Sequence, residues 1–385
     1  MNIVTDNEKL IELCAKLAKS SYIAVDTEFL RERTYYAKLC LIQVSSPEVE
    51  AFAIDPIENP KLDLSPFYNL LSDDNLLKVF HAARQDLEIF HNLTGKVPYP
   101  IYDTQIAAMV CGYGDQIGYD NLVRSLTNKE VDKTNQYTNW SKRPLSNKQL
   151  KYALNDVIYL MDIYEIISKK LKDNGRETWV KEEIEYLYSE ELYAPDPEEV
   201  WRKVKVKSKK PNVIACLKAL ASWREIQARK RNIPKARLIK DDAMASIAMH
   251  MPKNKKSLSD IRGISHDFAN GKSGDDLLKI IRETSNLPFN SCPEIIKKKP
   301  LTNSEKSIFE LIRMLLKIRC AEYNVAPKLV ATSDDLEEIS ISNTPKTNAL
   351  KGWRYEIFGS LALKLKNGEI AISLNEGKIK IVDLG

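Results

Sequence analysis

The stretch "AVDTEF", residues 24–29, sets two carboxylates, Asp26 and Glu28, two positions apart in a run that otherwise reads as a half-buried β-strand. Side chains alternate faces along a strand, so the two acids point the same way, about 6.6 Å apart along the backbone. They share a face with Tyr22 and Ala24, while Ile23, Val25 and Thr27 take the other. Like charges side by side on a central strand raise each other's pKa, and desolvation adds to the effect. Either the strand is an exposed edge whose acids face water, or something positive sits between them. A hard divalent cation with oxygen ligands meets the second need, and a pair of such ions suits in-line displacement at phosphorus.

Outward from this strand, "SYIAVDTEF", "KLCLIQVSS" and "EAFAIDP" are short β-branched or aromatic runs separated by polar segments. The run "LLKVFHA" predicts another strand ending near His81, followed by a helix from about Ala83. "DTQIAAMVC", "YDNLVRSL" and the segment from Ser146 to about Leu171 show the three-to-four spacing of amphipathic helices. Strands first and helices interleaved later predict a mixed α/β layer fold.

The 385 residues predict two or three domains. Six scattered cysteines without a CxxC pair argue against a disulfide framework and a zinc finger, and four histidines without HExxH spacing argue against a histidine-rich metal site. Any metal is therefore expected on oxygen. No run of about 18 apolar residues and no secretory signal is found, which predicts no membrane span and a cytoplasmic location. The net charge of +5 names no partner by itself, but "WRKVKVKSKKP" (201–211), beside the Pro-punctuated "APDPEE", reads as a basic interdomain linker.

Beyond it the texture predicts helices only, with an internal repeat. "RNIPKARLIKDD" (231–242) and "NVAPKLVATSDD" (324–335) align at an offset of 93, pairing Pro234 with Pro327 and Asp241/Asp242 with Asp334/Asp335. Each copy has an apolar helix upstream and a helix stop downstream, "IRGI" or "LKGW", and the Asp-Asp pairs are expected to cap the next helix.

Two further stretches bear on the acids. "VFHAARQDLEIF" (79–90) carries Asp86 early in a helix, and "KYALNDVIYLMDIY" (151–164) puts Tyr152 and Asp156 four apart on one helical face. Asp156 can ligate metal while Tyr152 positions or deprotonates a water; a half-buried helix aromatic is the plainer reading of Tyr152. Together "VDTEFLRERTYYAKLCLIQ", "HAARQDLE" and "YALNDVIYL" resemble the three exonuclease motifs of the DEDD superfamily in its tyrosine-containing branch, at the level of the ribonuclease D family. "YDTQIAA" and "WSKRPLSNKQLKYA" are also similar to that family, and the repeats resemble its paired helical HRDC domains. Ala37 departs from the pattern, since related proteins often carry proline after "TYY".

The resemblance implies an RNase H-like α/β exonuclease domain (1–192), a basic linker (193–211), a first HRDC domain (212–290) and a second HRDC-like domain (291–385), both all-α. It implies that Asp26, Glu28, Asp86 and Asp156 hold two Mg²⁺ or Mn²⁺ ions and that Tyr152 acts on the attacking water. A monomer is expected to trim 3′ trailers of tRNA precursors and other small structured RNAs, releasing nucleoside 5′-monophosphates. His81 at a strand end and Phe29 beside Glu28 are candidate RNA contacts, with core packing the alternative for each. A DNA exonuclease of repair shares this acid set, and a non-catalytic RNA-binding scaffold shares the fold; the first alternative turns on contact with a 2′-hydroxyl.

Overall fold

The computed structural model describes residues 2–208, 210–288, 292–293 and 300–385. Lys209 of the basic run and the expected 290/291 domain boundary lie outside these residues. The N-terminal body is built on a six-stranded sheet of β1 (Ile3–Val4), β2 (Tyr22–Leu30), β3 (Lys38–Ser45), β4 (Phe52–Ile54), β5 (Leu77–Phe80) and β6 (Ile101–Asp103), in the order β1-β4-β3-β2-β5-β6. β2 is central, antiparallel to β3 and parallel to β5. The strand carrying Asp26 and Glu28 is therefore no edge.

Helices α1 (Asn7–Leu17), α2 (Ser65–Leu71), α3 (Arg84–Thr94), α4 (Thr104–Val110), α5 (Tyr119–Thr127), α6 (Asn147–Asp173) and α7 (Glu177–Ile184) surround this sheet. The alternation expected along β2 is observed. Ile23 and Val25 pack with Leu10, Leu13, Leu87 and Phe90 of α1 and α3, whereas Tyr22 and Ala24 pack with Val157 and Leu160 of α6. The 27 residues of α6 start in a capping box between Ser146 and Gln149, so their first turn is well anchored. Ahead of that cap, Arg143 pairs with the fully buried Asp55 and donates to the Cys40 carbonyl at 2.8 Å, tying the approach of α6 to β3 and β4. Further along, Ser45 Oγ donates to the Val157 carbonyl at 3.2 Å.

The segment expected to be a linker is packed. Tyr193 belongs to the nuclease core and donates to the Leu187 carbonyl at 2.6 Å, while Trp201 and Val204 sit in the core of the first helical module. That module runs α8 (Pro211–Arg231), α9 (Lys235–Leu238), α10 (Asp241–His250), α11 (Lys255–Ser259), α12 (His266–Asn270) and α13 (Lys272–Ser285); the second opens α14 (Asn303–Tyr323), α15 (Pro327–Val330), α16 (Ser333–Ile341). The repeat is visible in three dimensions. Both α8 and α14 have 21 residues, both end on an asparagine in the left-handed region (Asn232, φ 46°; Asn324, φ 49°), and both lead into a four-residue helix.

Three expectations for this region are corrected. It is not all-helical, because β7 (Ile370–Asn375) and β8 (Lys378–Asp383) form an antiparallel hairpin. Asp241 and Asp242 do not cap α10: Lys240 takes the cap position, and Asp241 pairs with Arg224 at 2.7 Å. In the second copy the cap is Thr332, with Asp335 completing a capping box. "LKGW" does not stop a helix either, since Gly352 begins one.

Both modules touch the N-terminal body. Asn324 Nδ2 donates to the Cys111 carbonyl at 3.2 Å and Ala326 N to the Met109 carbonyl at 2.9 Å. Gly112, at φ 79°, makes this approach possible because any Cβ there would run into Asn324. The Trp179 and Trp353 rings stack at 4.3 Å beside an Arg354–Glu183 ion pair. From the other side, Asn232 Oδ1 accepts from Tyr35 N at 3.1 Å and Tyr36 N at 3.0 Å. The Tyr35 hydroxyl donates to Glu225, which is fully buried and also paired with Arg229 and Lys235, both at 3.0 Å. The loop that follows β2 is thus gripped by the first module. Glu225→Ala removes the buried acceptor shared by Tyr35, Arg229 and Lys235; both cations reach solvent, so the cost is about 1.5–3 kcal/mol, that of lost hydrogen bonds to a charged group, and a lower urea midpoint for the whole chain is the expected result.

Candidate active site

Carboxylate oxygens of Asp26, Glu28 and Asp156 all lie within 4.8 Å of one another. β2 supplies the first two on one face, and α6 lays Asp156 over them. Asp86 lies outside this mutual group. It sits in the first turn of α3 and accepts a hydrogen bond from Thr27, on the strand face opposite to Asp26 and Glu28, yet its charge raises Glu28 and it is itself raised by Asp26. Thr27, read from sequence only as a residue of the back face, thereby orients Asp86.

Electrostatics mark the cluster as short of positive charge. Burial, then the charges of Asp26, Asp156 and Asp86, push the Glu28 carboxyl up to about 10. Burial raises Asp26 to about 6 against a backbone hydrogen bond from Thr27. Asp86 and Asp156 are both raised, by burial first and Asp26 second. Oxygen ligands that repel one another in a desolvated site fit a hard divalent cation. Tyr152, one turn before Asp156, is held well above the ordinary phenol value by burial and then by Asp156, Glu28 and Asp26, which places its ring among the same three acids.

The sign of the Glu28 shift gives a prediction. The folded state keeps a proton that the unfolded chain sheds, so without metal, stability falls as pH rises from about 4.5, the ordinary glutamate value, to about 10. Glu28→Gln is expected to raise the melting temperature of EDTA-treated protein at pH 8 by a few degrees and to flatten its decline with pH, read by scanning calorimetry.

His81 follows β5 beside Asp26's strand, its Nδ1 3.0 Å from Thr104 Oγ1 and its ring edge-on to Tyr119 at 5.2 Å. Burial holds its pKa below the ordinary value, although Asp103 pulls upward, so the ring is neutral at pH 7. Phe29 is half-buried and packs against the core on the face opposite Glu28. A bulge lies next to it: Glu28 pairs with Leu41 but Phe29 with Leu39, leaving Cys40 unpaired in β3.

Sequence reasoning missed two residues here. Tyr119 donates its hydroxyl to the Asp156 carbonyl, bracing α6 at the ligand position. Asp103 accepts from Ala82 N at 3.1 Å, Ala83 N at 2.9 Å and Gln105 N at 2.8 Å, clamping the turn between His81 and α3, where Ala82 takes φ 55°. "YDTQ" is a helix-start signature that offered the second; nothing local offered the first.

A central strand with paired acids, a helix bringing Tyr152 and Asp156 onto it, and a parallel strand leading into Asp86 define a DEDD-type 3′–5′ exonuclease. The 3′-5′ exonuclease family matches residues 1–172 and the HRDC domain family residues 214–281. Curated relatives include ribonuclease D of Nitrobacter hamburgensis, 41% identical over 383 residues and covering all of both chains, and that of Sphingobium indicum, 42% identical over 98% of each. The crystal structure of Escherichia coli RNase D, described as an exoribonuclease involved in structured RNA processing, superposes with a TM-score of 0.81 at 27% identity, over 96% of this chain and 99% of that one. The chain belongs to the ribonuclease D family and is a 3′–5′ exoribonuclease. Among the described residues no helix is long and apolar enough to cross a membrane.

Proposed function

We propose that Asp26, Glu28, Asp86 and Asp156 hold two Mg²⁺ or Mn²⁺ ions and that this chain, acting as a cytoplasmic monomer, trims 3′ trailers of tRNA precursors and other small structured RNAs. The convergence of three carboxylate oxygens within 4.8 Å, one helical turn from a tyrosine, carries the reading. The bound ions supply acidification of water and neutralisation of charge on the leaving oxygen. The protein's part is positional. β2 fixes Asp26 and Glu28, Thr27 sets Asp86, and α6, braced by Tyr119, sets Asp156 and Tyr152. Tyr152 orients the attacking water; its oxygen bonds to phosphorus, the bond to the 3′ oxygen breaks, and a nucleoside 5′-monophosphate leaves. Neutral His81 meets the terminal ribose or the scissile phosphate, and the exposed part of Phe29 the last bases. The two helical modules, the second read as a divergent HRDC copy, contact phosphates without reading sequence.

The test is a time course on a 3′-extended tRNA and a matching DNA strand with Mg²⁺, Mn²⁺ or EDTA. Stepwise release of 5′-monophosphates from the RNA, absent in EDTA, is expected. Faster digestion of the DNA would replace the RNA assignment with a repair exonuclease, and activity undiminished by EDTA would remove the metals.

A further inference from the structure

Gln43 sits on β3 directly opposite Asp26 of β2, in a register where Val25 faces Val44 and Thr27 faces Ile42. Its side chain therefore shares the Asp26 face. Ile42 and Val44 point into the core on the other side, whereas Ser45, one step along Gln43's own face, bonds to α6. Gln43 is fully buried, and among the described residues neither its Oε1 nor its Nε2 has a hydrogen-bond partner. A desolvated amide with both ends unmet is destabilising, and an apolar side chain would fill the space between Leu41 and Ser45 at less cost. Such a group needs a second state in which its bonds are made.

Asp26 provides that state. Directly opposed residues of an antiparallel pair hold their Cβ atoms about 5 Å apart, within reach of a glutamine amide after a change of rotamer. The Asp26 carboxylate offers two oxygens on the face it shares with Gln43. Ionised and ligating a cation with one oxygen, it presents the other as a strong acceptor, and ligating carboxylates are commonly held by just such an outer hydrogen bond. We propose that Gln43 is a positioning residue for the metal site, its Nε2 donating to Asp26 once a divalent cation is bound. This rests on the metal-site reading above. It makes the side chain an internal counterpart of Thr27, which does the same for Asp86 from the opposite face.

The test uses RNA-free, full-length protein and Mn²⁺ alone, titrated by calorimetry into wild type, Gln43→Leu and Gln43→Met. Both variants should bind Mn²⁺ about 10–100-fold more weakly, while their EDTA-treated forms melt at or above the wild-type temperature because an unsatisfied amide has left the core. A merely structural glutamine gives the reverse, a lower melting temperature with unchanged affinity, and that result would overturn the role. Wild type that bound no Mn²⁺ would overturn the metal site and the proposal with it. Wild-type protein labelled with ¹⁵N in its glutamine side chains gives a readout independent of variant folding. One solvent-protected amide pair should shift on addition of Mg²⁺; the absence of any such shift counts against Gln43.

Discussion

Asp26→Asn is expected to abolish trimming of a 3′-extended tRNA, by about 10³-fold or more, while RNA affinity stays near wild type. Asp26 is the acid whose charge reaches each of the others: it raises Glu28, Asp86 and Asp156 alike. Asparagine keeps its shape and its place opposite Gln43 but removes an anionic oxygen from the acid cluster that would hold the metal. The stabilisation lost is several kcal/mol in the transition state, and each 1.36 kcal/mol is a factor of ten in rate. If RNA is held, as proposed, by phosphate contacts spread over the chain, a filter-binding or polarisation assay should hardly move. Trimming by Asp26→Asn at the wild-type rate would dismiss the four-acid assignment.

What the sequence revealed and what it hid follow from the range of the interactions involved. The strand around Asp26, the helix from Ser146 to the region of Leu171 and the turn at His81 rest on local periodicity and caps, and each lies within a few residues of its expected place. That Asp26 and Glu28 share one face and Tyr152 and Asp156 another was readable, because alternation on a strand and four-residue spacing on a helix each fix a face; that the two faces meet was implied only by the resemblance to the exonuclease family. Gln43, Tyr119 and Glu225 were unreadable for the opposite reason. A polar residue inside an apolar strand or helix acquires meaning only from the residue across from it, 17 positions away for Asp26 and 190 for Tyr35 and Glu225. The C-terminal hairpin is a different kind of miss. "IAISLN" and "KIKIVD" alternate, and Glu376-Gly377 between them, both at positive φ, form a two-residue hairpin turn, so the signal was local and was overridden by the helical texture upstream.

The contacts between modules bear on catalysis as well as on stability. Residues 31–37 leave the end of β2 directly after Glu28-Phe29-Leu30, and Tyr35 and Tyr36 are held by Asn232, Glu225 and Arg229 of the first helical module. A module that only gripped RNA would have no need to clamp this loop. If the module also holds RNA, as proposed, removing everything after residue 211 both weakens that hold and frees a loop bordering β2, so slower trimming in such a truncation has two sources. Glu225→Ala separates them: it removes the Tyr35 hydroxyl's acceptor and loosens the loop, still bonded to Asn232, while the helical modules stay in place.

Tyr152→Phe is expected to lower the turnover rate by about 10²–10⁴-fold, the usual contribution of one positioned proton-transfer or hydrogen-bonding group, with little change in RNA affinity. The size of the fall leaves open which job the hydroxyl does, and the surroundings of the ring decide it. Burial and three carboxylates hold the phenol protonated across the physiological range, and the hydroxyl lies in hydrogen-bond reach of Asp156. In that form it would orient a water by hydrogen bonding and leave the proton to another acceptor. If orientation is the whole role, Tyr152→Phe keeps the shape of the wild-type pH–rate profile and lowers its height. If the phenolate is the base, the variant loses the alkaline limb that reports its titration. The neighbouring acids favour the first outcome, since every negative charge near the ring opposes a phenolate and only the bound cations would relieve it. A wild-type rate in Tyr152→Phe would reduce the side chain to the packing contact it makes with Trp140, 6.1 Å between rings.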